Sequence, residues 1–322
     1  MSTDLLDFGW QRPHIAESTV LSASSNLTYY GQFGTAPGML RSPGGIGFSN
    51  DGLRLIVADS NNNRLQVFGA ADGVNLTYQT NYGTAGSGAG NYSYPMDVKC
   101  HPTTSHVFAA DNGNHRIHVL TLTVDTLSSV GYYGTQGTGA GQFKNPLGVA
   151  VSSDGTRLAV ADFGNYRIQI FGIGVDGTLT HQVSFGGVNG YANGEFYGPR
   201  CVAFNPDGSR LAVAEDARVR WLRVDGNTVT NITDFSFIGG GYGRGVEISK
   251  DGSLMIVADN ANHRIMLAHI SDDKLTRIAA VGYRYLATAT YGELFSPYGV
   301  ALHTDGVHVA ICDSGNNRIV TF

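Results

Sequence analysis

The chain has 322 residues, 42% of them hydrophobic and 15% charged, and carries a net charge of −5. This composition supports a sizeable core, while the slight acidic excess leaves the counterion release that drives nucleic-acid affinity without a source. No run of 18 consecutive apolar residues occurs, so no membrane span is expected, and the 44 glycines follow no Gly-X-Y period, which excludes collagen and implies many turns.

The first residues, Met1–Asp7, lack the basic and apolar regions of a secretory signal, so a cytoplasmic protein is expected. Residues 1–25, with Phe8, Trp10 and Pro13, show little periodicity and read as an N-terminal arm that packs across the fold or docks it elsewhere. Asn26, Asn75, Asn91 and Asn231 head Asn-x-Ser/Thr sequons that matter only if the chain is secreted. Cys100, Cys201 and Cys312 are odd in number and lie in or beside apolar runs, so they read as buried free thiols.

From residue 26 to residue 322 one unit recurs, and the whole span reads as a single domain. The segment Leu55–Phe68 returns at Val107–Leu120, Leu158–Phe171, Met255–Ala268 and Val309–Phe322, with a degenerate copy at Leu211–Leu222. Its acidic residues, Asp59, Asp111, Asp162, Glu215, Asp259 and Asp313, are spaced by 52, 51, 53, 44 and 54 residues. Each unit opens with an apolar run such as Pro146–Val151, suited to a strand buried on both faces. An Asp-Gly hairpin follows (Asp51-Gly52, Asp154-Gly155, Asp207-Gly208, Asp251-Gly252, Asp305-Gly306), replaced in the second unit by Pro102–Ser105. The second strand ends on the acid, the third is Arg-Ile-x-x-Phe, and a Thr/Tyr/Val-rich fourth strand such as Asn75–Tyr82 leads into a Gly-rich loop.

Four-stranded units repeated six times bury their faces by stacking radially, which predicts an all-β, six-bladed propeller. The last unit lacks a fourth strand, and Asn26–Gly34 matches the fourth-strand segment Asn75–Gly83, so the N-terminal strand is expected to complete the last blade. The pattern Gly-x-Phe-x-x-Pro-x-Gly-Val-Ala-Val followed by Val-Ala-Asp-x-x-Asn-x-Arg-Ile-x-x-Phe resembles the NHL repeat across residues 26–322. That resemblance implies a six-bladed NHL propeller but no single activity, since similar propellers serve as protein-binding, RNA-binding and sensor modules and as the amidating lyase.

The Asp-x-x-Asn-x-Arg motif reads as scaffold: Asp59/Asn62/Arg64, Asp111/Asn114/Arg116, Asp162/Asn165/Arg167, Asp259/Asn262/Arg264 and Asp313/Asn316/Arg318. Asp and Asn hold a turn through nearby backbone amides, and the Arg fork reaches the Asp and carbonyls of the neighbouring blade. A catalytic group is needed once, whereas a structural device is needed in every blade. His115 and His263 occupy the variable position of this motif and read as exposed turn residues.

Function is expected where the copies differ. The positions after Pro at the inner strand are Gly44, Met96, Leu147, Arg200, Arg244 and Tyr298, and the next are Gly45, Asp97, Gly148, Cys201, Gly245 and Gly299. Asp97 is the only acid at this level and no His accompanies it, unlike the zinc-binding His residues that the amidating lyase resemblance would imply; no metal and no cofactor are expected. The fourth unit shortens its turn to Glu215-Asp-Ala-Arg218, and the fifth shortens its incoming loop to Ile238–Arg244. These losses predict a notch bordered by Arg200, Glu215, Asp216, Arg218, Tyr242 and Arg244, in which two arginines hold an anion or pair with Glu215 or Asp216.

Tyr82, Tyr92, Tyr94, Tyr132, Tyr133, Tyr191, Tyr197, Tyr242, Tyr291 and Tyr298 crowd the same loop face, as a contact platform or as packing under the loops. Neither a catalytic triad nor a Gly-rich phosphate motif has positional support. The leading expectation is therefore a non-catalytic interaction module binding a protein or another extended ligand through the Gly/Tyr-rich face. The alternative is a small-molecule lyase or hydrolase with its site in the axial channel or the notch between blades 4 and 5, around Arg200, Arg218, Tyr242, Arg244, Tyr298 and Asp97. A protein is the expected partner, with a small-molecule or anionic ligand as second choice; neither nucleic acid nor membrane is expected.

Overall fold

The computed structural model describes residues 27–236, 241–282 and 293–322. Residues 1–26, Tyr291 and residues 238–240 of the shortened fifth loop lie outside that range.

Six antiparallel four-stranded sheets form, and sequence order runs from inner to outer strand in each of the first five. Blade 1 comprises Ile46–Phe48, Arg54–Asp59, Arg64–Gly69 and Thr77–Tyr82. The inner strands of blades 2 to 5 are Pro95–Cys100, Pro146–Val151, Cys201–Phe204 and Gly243–Ile248. Blade 6 takes three strands from the C-terminal end (Pro297–Leu302, Val309–Asp313, Arg318–Thr321) and its outer strand, Thr28–Tyr30, from the N-terminal side. Thr28 pairs with Thr321, Tyr29 with Val320 and Tyr30 with Ile319, so strands from opposite ends of the chain latch the ring.

The second strands are buried on both faces because each blade stacks on two others. In blade 1, Leu55 and Val57 pack toward blade 6, beside Ala310 and Cys312. Ile56 and Ala58 pack toward blade 2, beside Val107 and Ala109. Six such clusters are present, one at each blade interface, so the core is a ring of seams with no single centre. The four Gly-rich loops that enter blades 1 to 4 fold back on themselves through a short parallel bridge, as at Gln136 and Phe143, and each drops one large side chain into a seam. Leu40, Tyr92, Phe143 and Phe196 are these plugs, and all four are fully buried.

The two ends of the ring differ. One carries the Asp-Gly hairpins, where Gly52 and Gly155 take positive φ values of 75° and 72° that favour glycine. The other carries the acid-to-Arg turns and the Gly-rich loops. Among the described residues, no helix is long and apolar enough to cross a membrane.

Candidate functional site

At the acid-to-Arg turn, one carboxylate oxygen accepts from the backbone of the incoming loop and the other from side chains of the same turn. Asp59 Oδ1 accepts from Arg41 N at 2.7 Å, and Oδ2 accepts from Asn62 Nδ2 at 2.8 Å and Arg64 Nε at 2.8 Å. The rest of the Arg64 fork donates to the carbonyls of Thr35, Ala36 and Met39 in the loop arriving from blade 6. Asp162 repeats the set with Lys144 N, Asn165 and Arg167. Asp111 pairs with Asn114 and Arg116, and Asp313 with Asn316 and Arg318. In blade 5, Asp259 takes Asn262 Nδ2 at 2.9 Å and Arg264 Nε at 2.7 Å. These carboxylates are fully buried and consumed by the turn.

His115 and His263 are half-buried, not exposed turn residues. Their left-handed backbone aims each ring at the next loop, where Nδ1 accepts from Asn145 N and Ser296 N, both at 3.0 Å. Asn63 and Asn317 strap the loops of the following blades in the same way, through Tyr94 N and Ser42 N.

Blade 4 performs the turn's task with different groups. Two residues are missing, so Glu215 pairs across the hairpin with Arg218. Glu215 Oε2 accepts from Tyr197 N at 2.7 Å, and Oε1 accepts from Arg218 Nε at 2.7 Å and Arg220 Nε at 2.6 Å. Arg218 also donates to Asp234 at 2.7 Å, and Arg200 grips Asp216 with two bonds of 2.7 and 3.2 Å while lying over the Phe163 ring. Arg200 and Arg218 on the notch border are therefore each paired with an acid, and Arg200 is not free to join Arg244 in an anion clamp. Tyr242 is exposed, and its backbone bridges to Asp216.

The tyrosines divide. Tyr92 is buried and packs with Tyr82, Tyr132 and His118 under the blade 2 loop, and Tyr133 packs on Phe143 and Phe171. Tyr94, Tyr191, Tyr197 and Tyr242 are exposed, with Tyr191 stacked on Tyr197 at 4.7 Å.

The axis is nearly closed. Asp97, Lys99, Leu147, Arg200, Cys201, Arg244 and Tyr298 line a cavity with room for about one water molecule. Asp97 is 5% exposed; Oδ1 accepts from Val98 N at 2.9 Å and Oδ2 from Val149 N at 3.0 Å, tying blade 2 to blade 3. It fits only because blade 1 has Gly45 opposite, where a Cβ would lie 1.9 Å from Asp97 Oδ1. Burial raises the Asp97 pKa to about 6, although Lys99 and the two amides pull it down. Arg244 lies over the Tyr298 ring at 5.3 Å, and both Arg244 Nε and the Tyr298 hydroxyl are buried without a hydrogen-bond partner. Burial keeps the Tyr298 phenol protonated by raising its pKa, against the opposing pull of Arg244 and Arg200.

Two axial charges escaped the sequence reading. Lys99 Nζ donates to Glu247 Oε2 at 2.8 Å, from blade 2 to the diametrically opposed blade 5. Burial works against the Lys99 charge, but Glu247 and Asp97 outweigh it and raise its pKa. The signal was present one turn of alternation further along the strand, where the other blades carry Gly47, Ala150, Ala203 and Ala301. Cys201 joins this cavity as a thiol that burial pushes up to about 12, so it is no nucleophile at neutral pH.

The NHL repeat model matches residues 40–68 and 143–171, and the chain folds as a six-bladed β-propeller with NHL repeats at those two positions. No curated protein sequence matches it. Among solved structures, the chain is similar to the periplasmic gluconolactonase of Pseudomonas aeruginosa, at 15% identity and TM-score 0.63, covering 92% of this chain and 91% of that one. It is also similar to a 6-phosphogluconolactonase so named, without proof of activity, from Bacteroides uniformis, at 17% identity and TM-score 0.61 with 88% of each chain covered. A protein from Lactobacillus plantarum aligns at 17% identity and TM-score 0.62 over 88% of this chain and 87% of its own. At these identities the likeness shows the fold. The lactonase names among these neighbours nevertheless overturn the expectation of a non-catalytic interaction module and favour its alternative, a small-molecule hydrolase. The divided tyrosines weigh the same way, since half of the supposed platform is packing.

Proposed function

We infer that the protein is a hydrolase of small neutral lactones, acting at the loop-side mouth of the axial channel. One observation carries this reading: Arg244 Nε and the Tyr298 hydroxyl, both buried and unpartnered, line the same water-sized cavity as a carboxyl with a pKa of about 6. Donors left unmade in a dry site cost stability, and they become useful when negative charge develops on a substrate oxygen. A carboxyl tuned near neutrality is suited to move a proton in both directions.

In the proposed step, Asp97 takes a proton from a water in the cavity and the resulting hydroxide attacks the lactone carbonyl carbon. Arg244 and Tyr298 donate to the carbonyl oxygen as it becomes an oxyanion. The acyl C–O bond then breaks, Asp97 returns the proton to the departing ring oxygen, and the product is the open hydroxy acid. Arg200 is held by Asp216, so among the described residues that line the cavity no second arginine is spare for a phosphate; a neutral lactone fits better than a phosphorylated one. The exposed Tyr191, Tyr197 and Tyr242 offer ring faces near the mouth for a polyhydroxylated substrate. The reading includes a reducing compartment, the cytoplasm, where Cys100, Cys201 and Cys312 stay free.

The test is hydrolysis of glucono-δ-lactone above its spontaneous rate by the wild type, by Arg244→Ala and by Tyr298→Phe. Saturable hydrolysis that both substitutions reduce supports the site. Saturable hydrolysis untouched by either moves the site elsewhere, and none with either glucono-δ-lactone or its 6-phosphate ends the lactonase reading.

A further inference from the structure

On the opposite end of the ring, the hairpin between the first two strands of a blade follows a fixed pattern. In blades 1, 3 and 5 a serine (Ser49, Ser152, Ser249) donates at 2.5 Å to the hairpin aspartate (Asp51, Asp154, Asp251). Five residues after that serine stand Arg54, Arg157 and Leu254. Blade 6 departs at both places, carrying His303 for the serine and His308 for the later residue, with Asp305 between them.

The three side chains converge. His303 Nδ1 lies 2.9 Å and His308 Nδ1 2.6 Å from Asp305 Oδ2, and all three atoms fall within 4.8 Å of one another. Each of two groups is oriented by backbone on its other side. His303 Nε2 bonds the Gly52 carbonyl of blade 1 at 3.0 Å, which fixes the tautomer with Nδ1 unprotonated; that nitrogen accepts one long bond, from Asp305 N at 3.3 Å, which a metal ion would replace. Asp305 Oδ1 accepts from Val307 N at 2.8 Å and His308 N at 3.1 Å, leaving Oδ2 facing the imidazoles. A neutral His303 of that tautomer sets a nitrogen lone pair against a carboxylate oxygen, an arrangement that calls for a positive charge between them. A proton would serve, and so would a metal ion.

Blade 2 shows what the same histidines do without the carboxylate. His101 likewise bonds the Gly155 carbonyl at 2.9 Å, and its Nδ1 accepts from two amides, Thr103 N and Thr104 N, where His303 has one; His106 Nδ1 meets the Thr104 hydroxyl where His308 meets a carboxylate. There the rings are spent within the hairpin.

We propose that His303, Asp305 and His308 form a binding site for one divalent transition ion of the zinc type, with an open coordination position toward solvent. Two imidazoles and one carboxylate suit zinc, whereas calcium and magnesium prefer oxygen sets. An ion about 2.1 Å from each donor needs donors about 3.4 Å apart, so the ligands part by roughly half to one ångström. His308 and Asp305 are each about one-third exposed, so the ion has a way in, and His303 is nearly buried. Through the Gly52 carbonyl the ion braces blade 6, the blade that closes the ring, against blade 1.

The experiment titrates Zn2+ into the metal-stripped full chain by calorimetry and repeats the titration with Co2+ by visible absorption. One equivalent binding at micromolar concentration or tighter is expected, with a raised Tm. His308→Ala and Asp305→Asn should each weaken binding by tenfold or more and remove the cobalt band, while His106→Ala leaves both unchanged. Both altered side chains are partly exposed, so these variants are expected to fold, and a melting curve without metal checks it. Failure of the wild type to bind Zn2+ at micromolar concentration, or binding undiminished in both variants, overturns the site. Neither outcome bears on lactone hydrolysis at the other end of the ring.

Discussion

The turn of blade 4 and the mouth of the channel both depart from the repeat, but they treat their arginines differently: Arg218 and Arg220 meet a carboxylate, whereas Arg244 lies over a tyrosine ring. At the blade 4 turn a longer acid reaches across a shortened hairpin, and Arg218 and Arg220 replace the missing asparagine. Glu215 is fully buried with three donors on its two oxygens, so the acid's bonds are restored by other means, although Arg220 Nη1 is left buried without a partner. At the channel mouth, Arg244 and Tyr298 also break the pattern, but their buried polar atoms have no partner. Departure from a repeat therefore marks a change of parts, and the channel mouth is set apart by two unsatisfied groups that line one cavity together with a carboxyl.

The strongest way to break this contrast is to remove the acid from the repaired turn. Glu215→Ala strands the fully buried Arg220 without an acid, while Arg218 keeps Asp234, and should destabilise the protein by about 3–5 kcal/mol in a denaturant titration. A loss below about 1 kcal/mol would mean the repair carries little. Arg244→Ala should behave in the opposite way. It should barely lower Tm, because the Nε it removes had no partner, while kcat/KM for lactone hydrolysis falls by about 100-fold, as for removal of one oxyanion donor.

A smaller and sharper effect concerns the ion pair across the axis. Lys99 pulls the Asp97 pKa down and Glu247 pushes it up. Lys99→Met should thus move the activity midpoint to higher pH, and Glu247→Gln to lower pH, each by about half to one unit, equivalent to about 1 kcal/mol. Shifts of the same sign would contradict the proposed coupling. The smallest effect is at a strap. Asn63→Gly keeps the left-handed backbone but removes the bond to Tyr94 N, and should cost about 1 kcal/mol, read as faster amide exchange confined to the blade 2 loop.

The blade count and its closure were readable because the repeat states one strand order six times and Asn26–Gly34 restates a fourth strand. Arg200 was harder. Its residue type suggested an anion clamp or a local pair, and only coordinates reveal the two bonds to Asp216. Lys99 and Glu247 were missed because they lie 148 residues apart and meet only once the ring has closed. The histidines of blade 6 were missed for a related reason, since an Asp-Gly hairpin reads as a turn until its flanking rings are seen to converge. Periodicity reports what is shared, while cross-ring contacts depend on closure.

Asp97 ties these strands together, because its raised pKa also sets a stability signature. The folded state holds the Asp97 proton more tightly than the unfolded chain, so this group's stabilising contribution is full below about pH 4 and is lost as pH rises through about 6. Activity should run the other way, since proton removal from water needs the ionised carboxylate. The most direct test is kcat/KM for glucono-δ-lactone against pH, for the wild type and Asp97→Asn. The account predicts a wild-type rate rising through a midpoint near 6 and a variant reduced by at least about 100-fold with that limb absent. A wild-type profile flat from pH 4 to 8, or an Asp97→Asn variant as fast as the wild type, would contradict it.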